Sequence, residues 1–453
     1  MISMSPDWPR VLVIGPEPFN NESGFGITIS NLFAEWPKDK LACVHFSDIP
    51  PDDTICAHHY GLGRHNVEWQ LLPRFLTLIF RKAKSGEDAD CMGARSSSVV
   101  TQSLKKSIGI SGLIKRMILR SGAGNLARVR LNAPLKTWVQ WFRPEVIYCA
   151  VTDLTQIELV LSVAKLTSAC VVSHALDDWI MTASQSRNLF QQAIRQYTHY
   201  RLIRLYRRSS VCLAIGEAMS RVYQERYGLP FVSFFNCPNA SYWARLKIKE
   251  WRAQKPFRFV FTGAVYSPGN QTSLIRIAEA VELVTGSNTC TLEIYLAELA
   301  QKRLRPFLRG LTSTTLHLPC KDIETVAKLN RDADGLVLTM DFDERLMKSI
   351  YLAMPTRLTP FLLSGTPIFA FTPSDTAIGR FLLERKVAYV VDTFLESRIL
   401  AQRMAEFIEN ENRRRDIGRE AMRVAATEFA GEVVRPRFLE AIRSAVRQDV
   451  VRT

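Results

Sequence analysis

The chain has 453 residues, too many for one ordinary hydrophobic core, so two α/β domains are the natural expectation. Apolar residues make up 47% and charged residues 23%, which excludes a disordered or low-complexity chain. The formal net charge is +15, and much of it is concentrated: from Cys91 to Pro144 there is no Asp or Glu, while Arg95, Lys105, Lys106, Lys115, Arg116, Arg120, Arg128, Arg130, Lys136 and Arg143 fall there. Such a block attracts phosphates, on lipid headgroups or on nucleic acid. The nine cysteines are scattered with no C-x-x-C pair, which argues against a zinc site or a disulfide framework and for a reducing cytosol. There is no run of about 18 apolar residues and no apolar signal core within Met1–Arg10, so any membrane association is expected to be peripheral.

In chain order, Arg10–Gly15 reads as a short buried strand ending in the turn Gly15-Pro16. A loop then leads to Gly24-Phe25-Gly26 and an amphipathic helix through Phe33, the opening of a Rossmann-like βα unit, with a second strand at Leu41–Phe46. The segment from about 82 to 143 reads as a basic insertion, helical around Leu113–Leu119. Strands follow at Val146–Ala150, Val171–Ser173 and Val211–Ile215, with helices from Thr155, over Ala193–Arg208 and up to Tyr227. Asn236-Cys237-Pro238-Asn239 has turn composition. From Phe257 the pattern restarts: a strand to Thr262, a glycine loop, a helix over Thr272–Leu283, then strands at Thr291–Tyr295, Leu316–Leu318, Gly335–Thr339, Pro367–Phe371 and Ala388–Val391. This predicts two Rossmann-like domains, residues 1–238 and 239–430, with a final helix in 431–453 returning to the first domain.

Two such domains create a cleft at the carboxyl ends of their strands, where open parallel sheets bind ligands, and four segments are expected to face it. Gly24 and Gly26 precede a helix; they either let the backbone approach a ligand or simply make a tight turn. The stretch Ser173-His174-Ala175-Leu176-Asp177-Asp178-Trp179 ends a strand. Either His174 and the carboxylates hold sugar hydroxyls with Trp179 stacking on a sugar face, or an Asp caps the next helix and Trp179 anchors it. The loop Thr262-Gly263 to Asn270-Gln271 joins a strand to a helix, which suits a diphosphate or an ordinary βα loop equally. The fourth segment runs from Met354 to Ile368: Pro355 starts a helix, Thr356 and Arg357 aim donors at an anion, and Gly365 ends it. Arg357 at a helix start opposes the helix dipole, so it fits a ligand phosphate better than helix stability. Asp341-Phe342-Asp343 contains Asp-x-Asp, read as a loop rather than a metal site.

These segments, in this order, resemble the retaining GT-B glycosyltransferases of the large bacterial nucleotide-sugar-dependent group, the family 4-like enzymes. The likeness rests on Gly24 to Gly26 after the first strand, His174 with Asp177-Asp178-Trp179, Thr262-Gly263 opening the second domain, and Pro355-Thr356-Arg357 through Ser364-Gly365-Thr366-Pro367. It implies a GT-B fold and transfer of a sugar from a nucleotide-diphosphate sugar to a saccharide or lipid-linked acceptor in cell-surface polysaccharide synthesis. It also implies retention of anomeric configuration, with neither a metal nor a further cofactor. The site it implies has His174, Asp177 and Asp178 as catalytic residues. Gly263, Asn270, Thr356 and Arg357 would hold the donor; Gly24, Gly26 and Trp179 would hold the acceptor. A cytoplasmic protein, peripheral at the inner membrane face, follows. The chain also departs from the pattern. The usual donor-binding Glu falls on Pro360, its partner on Leu352, and the basic residues of the first donor loop are replaced around Ala264, Val265 and Gln271. Phosphate binding then rests on Arg357, backbone N–H groups and Lys348. A binding or regulatory protein on a degenerate GT-B scaffold is the alternative, with a sugar-nucleotide epimerase behind it; nucleic-acid binding has only charge in its favour.

Overall fold

The structure, a computed structural model, describes residues 8–63, 67–69, 127–129, 131–182, 189–252, 254–267, 269–284, 289–320, 322–343 and 350–452. The chain forms two compact units: residues 1–26, 33–233 and 438–453 make one, and residues 27–32 and 234–437 make the other.

The first unit is built on a seven-stranded parallel sheet ordered β3-β2-β1-β6-β7-β8-β9. Its strands are β1 (Val11–Gly15), β2 (Leu41–His45), β3 (His58–Gly61), β6 (Val146–Cys149), β7 (Cys170–Ala175), β8 (Val211–Ala214) and β9 (Phe231–Ser233). A separate antiparallel pair joins β4 (Val67–Trp69) to β5 (Ala127–Val129). Strands β1, β2, β6 and β7 are buried along their whole length, because helices cover both faces of a parallel sheet and no position alternates to water. Its helices are α2 (Ala133–Phe142), α3 (Leu154–Thr167), α4 (Leu189–Arg208) and α5 (Glu217–Tyr227); α1 (Gly24–Leu32) starts in this unit and its residues 27–32 belong to the second. Asn132 caps α2 by accepting from the Leu135 N–H, and Leu135, Val139 and Phe142 bury its inner face. The tail of the expected basic insertion is therefore core structure; the stretch Leu113–Leu119 lies outside the described residues.

The second unit carries a six-stranded parallel sheet ordered β12-β11-β10-β13-β14-β15. Its strands are β10 (Phe257–Thr262), β11 (Cys290–Tyr295), β12 (Thr314–His317), β13 (Gly335–Thr339), β14 (Ile368–Phe371) and β15 (Ala388–Val391). Its helices are α6 (Gln271–Leu283), α7 (Glu298–Leu304), α8 (Ile323–Asp332), α9 (Leu358–Ser364), α10 (Ala377–Arg385), α11 (Ser397–Glu409) and α12 (Glu411–Val424); α13 (Gly431–Arg452) ends the chain. Aromatic rings fill the core, with Phe259 stacked on Phe407 and Phe369 on Tyr389. Among the described residues, no helix is long and apolar enough to cross a membrane.

Each sheet has one point where the chain reverses its direction of winding: between β1 and β6 in the first unit, and between β10 and β13 in the second. Loops that leave neighbouring strands there in opposite directions open a crevice at the strands' carboxyl ends. The glycine turn follows β1, and the Thr262-Gly263 loop follows β10.

Candidate active site

In the second unit, β10 delivers Thr262 and Gly263 to the switch point. Gly263 has φ +118°, outside the range of ordinary side chains, and a Cβ there would lie 3.1 Å from Arg357 Nη1. Glycine at this position thus admits the Arg357 guanidinium. Arg357 Nη1 donates to the Thr262 carbonyl at 2.8 Å and Nη2 to the Ala264 carbonyl at 3.4 Å. The guanidinium carbon lies 4.5 Å from the centroid of the Phe261 ring. Burial pushes the Arg357 pKa down to about 10, with only Tyr266 acting against it, and the group stays charged at neutral pH. Among the described residues, no carboxylate neutralises this cation. The guanidinium is thus held at the switch point by two carbonyls and an aromatic ring, without a counter-charge from a carboxylate among the described residues.

The turn that presents Arg357 is made differently from the sequence expectation. Pro355 does not begin the helix. It starts a tight turn in which the Leu358 N–H donates to the Pro355 carbonyl at 2.9 Å, and α9 follows. The proline in the helix is Pro360, whose missing N–H falls among the first-turn donors that have no intrahelical partner. Gly365 ends α9 with φ +66°, where a Cβ would meet the Met422 sulfur at 2.7 Å. Asn236, buried, fixes the turn from outside: its Nδ2 donates to the Thr356 carbonyl at 3.1 Å, its carbonyl accepts from Thr359 Oγ1 at 2.9 Å, and its Oδ1 accepts from Asn31 at 2.8 Å. The sequence marked Asn236 only as a turn residue; an Asn within a Cys-Pro turn carries no local sign that it anchors residues 120 positions away.

The loop after Gly263 keeps its donors to itself. The N–H groups of Asn270 and Gln271 both donate to the Tyr266 carbonyl at 3.1 Å. Asp341, at the end of β13, accepts from the Ser273 N–H at 2.8 Å and from the Gly269 N–H at 3.1 Å, so its two oxygens staple the start of α6. The Asn270 amide clamps the same loop, accepting from the Tyr266 N–H and donating to the Ala264 carbonyl. The N–H groups of Gln271 and Ser273 in the first turn of α6 are thus satisfied within the protein, and Asn270 acts on the loop itself. Leu352 and Pro360, where the resembling family has carboxylates, are buried and apolar.

In the first unit, His174 is buried on β7, and its Nδ1 lies 2.6 Å from the Tyr148 hydroxyl of β6. Burial raises the Tyr148 pKa well above its ordinary value, so the phenol stays neutral. When it donates to Nδ1, the imidazole proton sits on Nε2. The two adjacent aspartates are not equivalent. Asp178 is buried and takes both Arg226 guanidinium nitrogens, at 2.7 and 2.9 Å, plus the Tyr223 hydroxyl at 3.0 Å, all from α5. Desolvation alone would lower the Arg226 pKa; the hydrogen bond and charge of Asp178 outweigh it and hold it above the usual value. Asp177 keeps accessible surface, yet surrounding protein desolvates its carboxyl and Asp178 repels its charge, which together push its pKa up to about 6. Accessibility decides whether a ligand can reach it, so Asp177 is the available carboxylate of the pair. Trp179 is half-buried and opens a single helical turn to Thr182.

The glycine turn is a further cluster, organised by Asn20. Its Oδ1 accepts from the Glu22 and Ser23 N–H groups, and Ser23 Oγ accepts from the Gly26 N–H, each at 2.9 Å. A Cβ on Gly26 would lie 2.1 Å from Asn20 Nδ2. Gly26 is small because Asn20 occupies its side-chain space, whereas Gly24 is exposed at the first turn of α1.

The two parallel-sheet domains have the fold of the GT-B glycosyltransferases. The chain aligns with Anabaena HepE in complex with UDP-glucose at a TM-score of 0.57 and 13% identity, covering 96% of this chain and 99% of that one. It aligns with TarM, of S. aureus in a related structure, at a TM-score of 0.56 and 12% identity, over 96% of this chain and 98% of that one. A glycosyltransferase from Rickettsia africae gives 0.55 and 11%, with 97% and 99% coverage. No protein-family model matches the sequence, and no curated protein matches it.

Proposed function

We propose that the chain is a glycosyltransferase that moves a sugar from a nucleotide-diphosphate sugar to a saccharide or lipid-linked acceptor. The observation that carries this reading is Arg357, a partly desolvated guanidinium with no carboxylate partner among the described residues, held at the β10/β13 switch point beside Gly263. As the sugar leaves, negative charge develops on the diphosphate; a preorganised cation there lowers the barrier. Thr356 and Gly263 shape the turn around it. On the acceptor domain, Asp177 is the carboxylate reachable by an acceptor, while His174, buried and held by Tyr148, acts from behind the surface as a positioning residue. Asp178 holds that segment in place through Arg226, and Gly24 and Trp179 line the acceptor side, with Gly26 packed on Asn20 behind them.

The fold neighbours support a UDP-sugar donor: HepE was solved with UDP-glucose, and TarM with UDP and α-GlcNAc-glycerol. WaaB, a lipopolysaccharide outer core galactosyltransferase, and WaaG, involved in lipopolysaccharide biosynthesis, favour a role in cell-surface polysaccharide synthesis. Retention of configuration, independence of metal and a cytoplasmic location at the inner membrane face belong to the same proposal. A second reading is favoured by buried Leu352 and Pro360, which offer no carboxylate to a ribose: a GT-B scaffold that binds nucleotide sugars without turning them over.

A thermal-shift screen of nucleotide sugars, followed by donor hydrolysis and transfer assays with the best stabiliser, separates these. A true donor stabilises the native state by mass action, by about 2.7 kcal/mol at a hundredfold excess over Kd, and so raises the melting temperature. Stabilisation with turnover supports the enzyme, stabilisation without turnover the binding protein, and no stabilisation by any nucleotide sugar removes both.

A further inference from the structure

We propose that α4 is a docking face for an anionic lipid surface. Over its 20 residues the helix carries no Asp or Glu. One side is built into the first unit: Ile194, Thr198, Leu202, Leu205 and Tyr206 are buried, and Arg201 turns inward to Glu158 at 2.7 Å. The other side presents Tyr197, Tyr200, Arg204, Arg207 and Arg208 to solvent. Steps of three, four and three residues from Tyr197 through Arg207 keep these side chains on one stripe of the helix. Tyr197 is 37% exposed and Tyr200 55%, large aromatic surface for a helix face in water. The Arg204 guanidinium lies 5.9 Å from the Tyr200 ring centroid, so a cation and an aromatic plate act as one element.

That combination matches a layered partner. Tyrosine rings favour the headgroup level, where the ring meets the acyl boundary and the hydroxyl stays wet, while arginines pair with lipid phosphates. The stripe from Tyr197 to Arg208 runs about 17 Å along the helix and can lie flat along such a surface. Single-stranded nucleic acid also combines phosphate with stacking faces, but proteins bind it in grooves that track its backbone. The stripe on α4 is the outward side of a helix, so the lipid surface is favoured. The inference concerns α4 alone and stands whether or not the chain transfers sugar.

The test is co-sedimentation of the full chain with phosphatidylcholine vesicles, with and without phosphatidylglycerol. The wild-type chain should bind only the anionic vesicles, more weakly as salt rises. Each basic residue at such a surface contributes about a fivefold gain in binding, so Arg204→Gln, Arg207→Gln and Arg208→Gln together should weaken it on the order of 10²-fold. Tyr197→Ser with Tyr200→Ser should spare low-salt binding and abolish the salt-resistant part. All five positions are exposed, and an unchanged melting temperature confirms the fold. Undiminished vesicle binding by both variants overturns the proposal. So does loss of binding caused solely by Lys115→Gln, Arg116→Gln and Arg120→Gln, or a single-stranded oligonucleotide that displaces the vesicles.

Discussion

The segment after β7 and the turn before α9 each place a charged group at the carboxyl end of a parallel sheet, but they treat the charge in opposite ways. Asp178 is buried and fully answered: Arg226 grips it with two nitrogens and Tyr223 adds a third hydrogen bond. Arg357 is desolvated and answered by carbonyls, with no carboxylate among the described residues. A buried ion pair that satisfies itself specifies structure. A cation left without its counter-charge favours the state in which a ligand brings one. Charged residues that look alike in the sequence thus separate into a self-satisfied brace and a cation without a carboxylate partner among the described residues.

The contrast can be broken most sharply at the brace. Asp178→Asn strands the Arg226 guanidinium in a partly buried place, and should destabilise the protein by about 3–5 kcal/mol in urea unfolding. Replacing Asp178 and Arg226 together by apolar residues should recover much of that loss, since the cost lies in the unpaired charge. A loss no larger than a surface pair's, about 0–1 kcal/mol, would show that the brace is not one. Arg357→Ala should do the reverse: turnover with a nucleotide sugar falls on the order of 10²-fold or more, with stability little changed. Equal turnover in the folded variant would take Arg357 out of the site.

Gly263→Ala sits between these extremes. The +118° backbone and the guanidinium 3.1 Å from the new Cβ together predict a cost of about 1–3 kcal/mol, read as lower stability and weaker donor binding in the same variant. The smallest effect is expected at Asp177. Its folded pKa is raised to about 6 from the ordinary 3.8, so the folded state resists ionising it. Ionisation therefore opposes folding above pH 6, and the penalty disappears as pH falls through 6 towards 4. Asp177→Asn should raise the melting temperature slightly at pH 7.5 and leave it unchanged near pH 4; solvent exposure keeps the gain small. A gain that grows on acidification would reverse the sign of this assignment.

Much of the frame was legible in the chain itself. Short apolar runs such as Val11–Gly15 and Gly335–Thr339 read as strands buried on both faces, and they are; the glycines at 263 and 365 fall where φ is positive. These are local properties, set by side-chain volume and backbone sterics within a few residues. Which polar groups remain available is not local. Asn270 and Asp341 read as ligand-facing and loop residues, yet each spends its side chain on the loop that starts α6. Asp177 and Asp178 are neighbours of identical chemistry, and only the approach of α5, 48 positions on at Arg226, makes one a brace and leaves the other open. Hydrogen bonds and ion pairs are settled by what the folded chain brings within about 3 Å, and no pattern in sequence order records that distance.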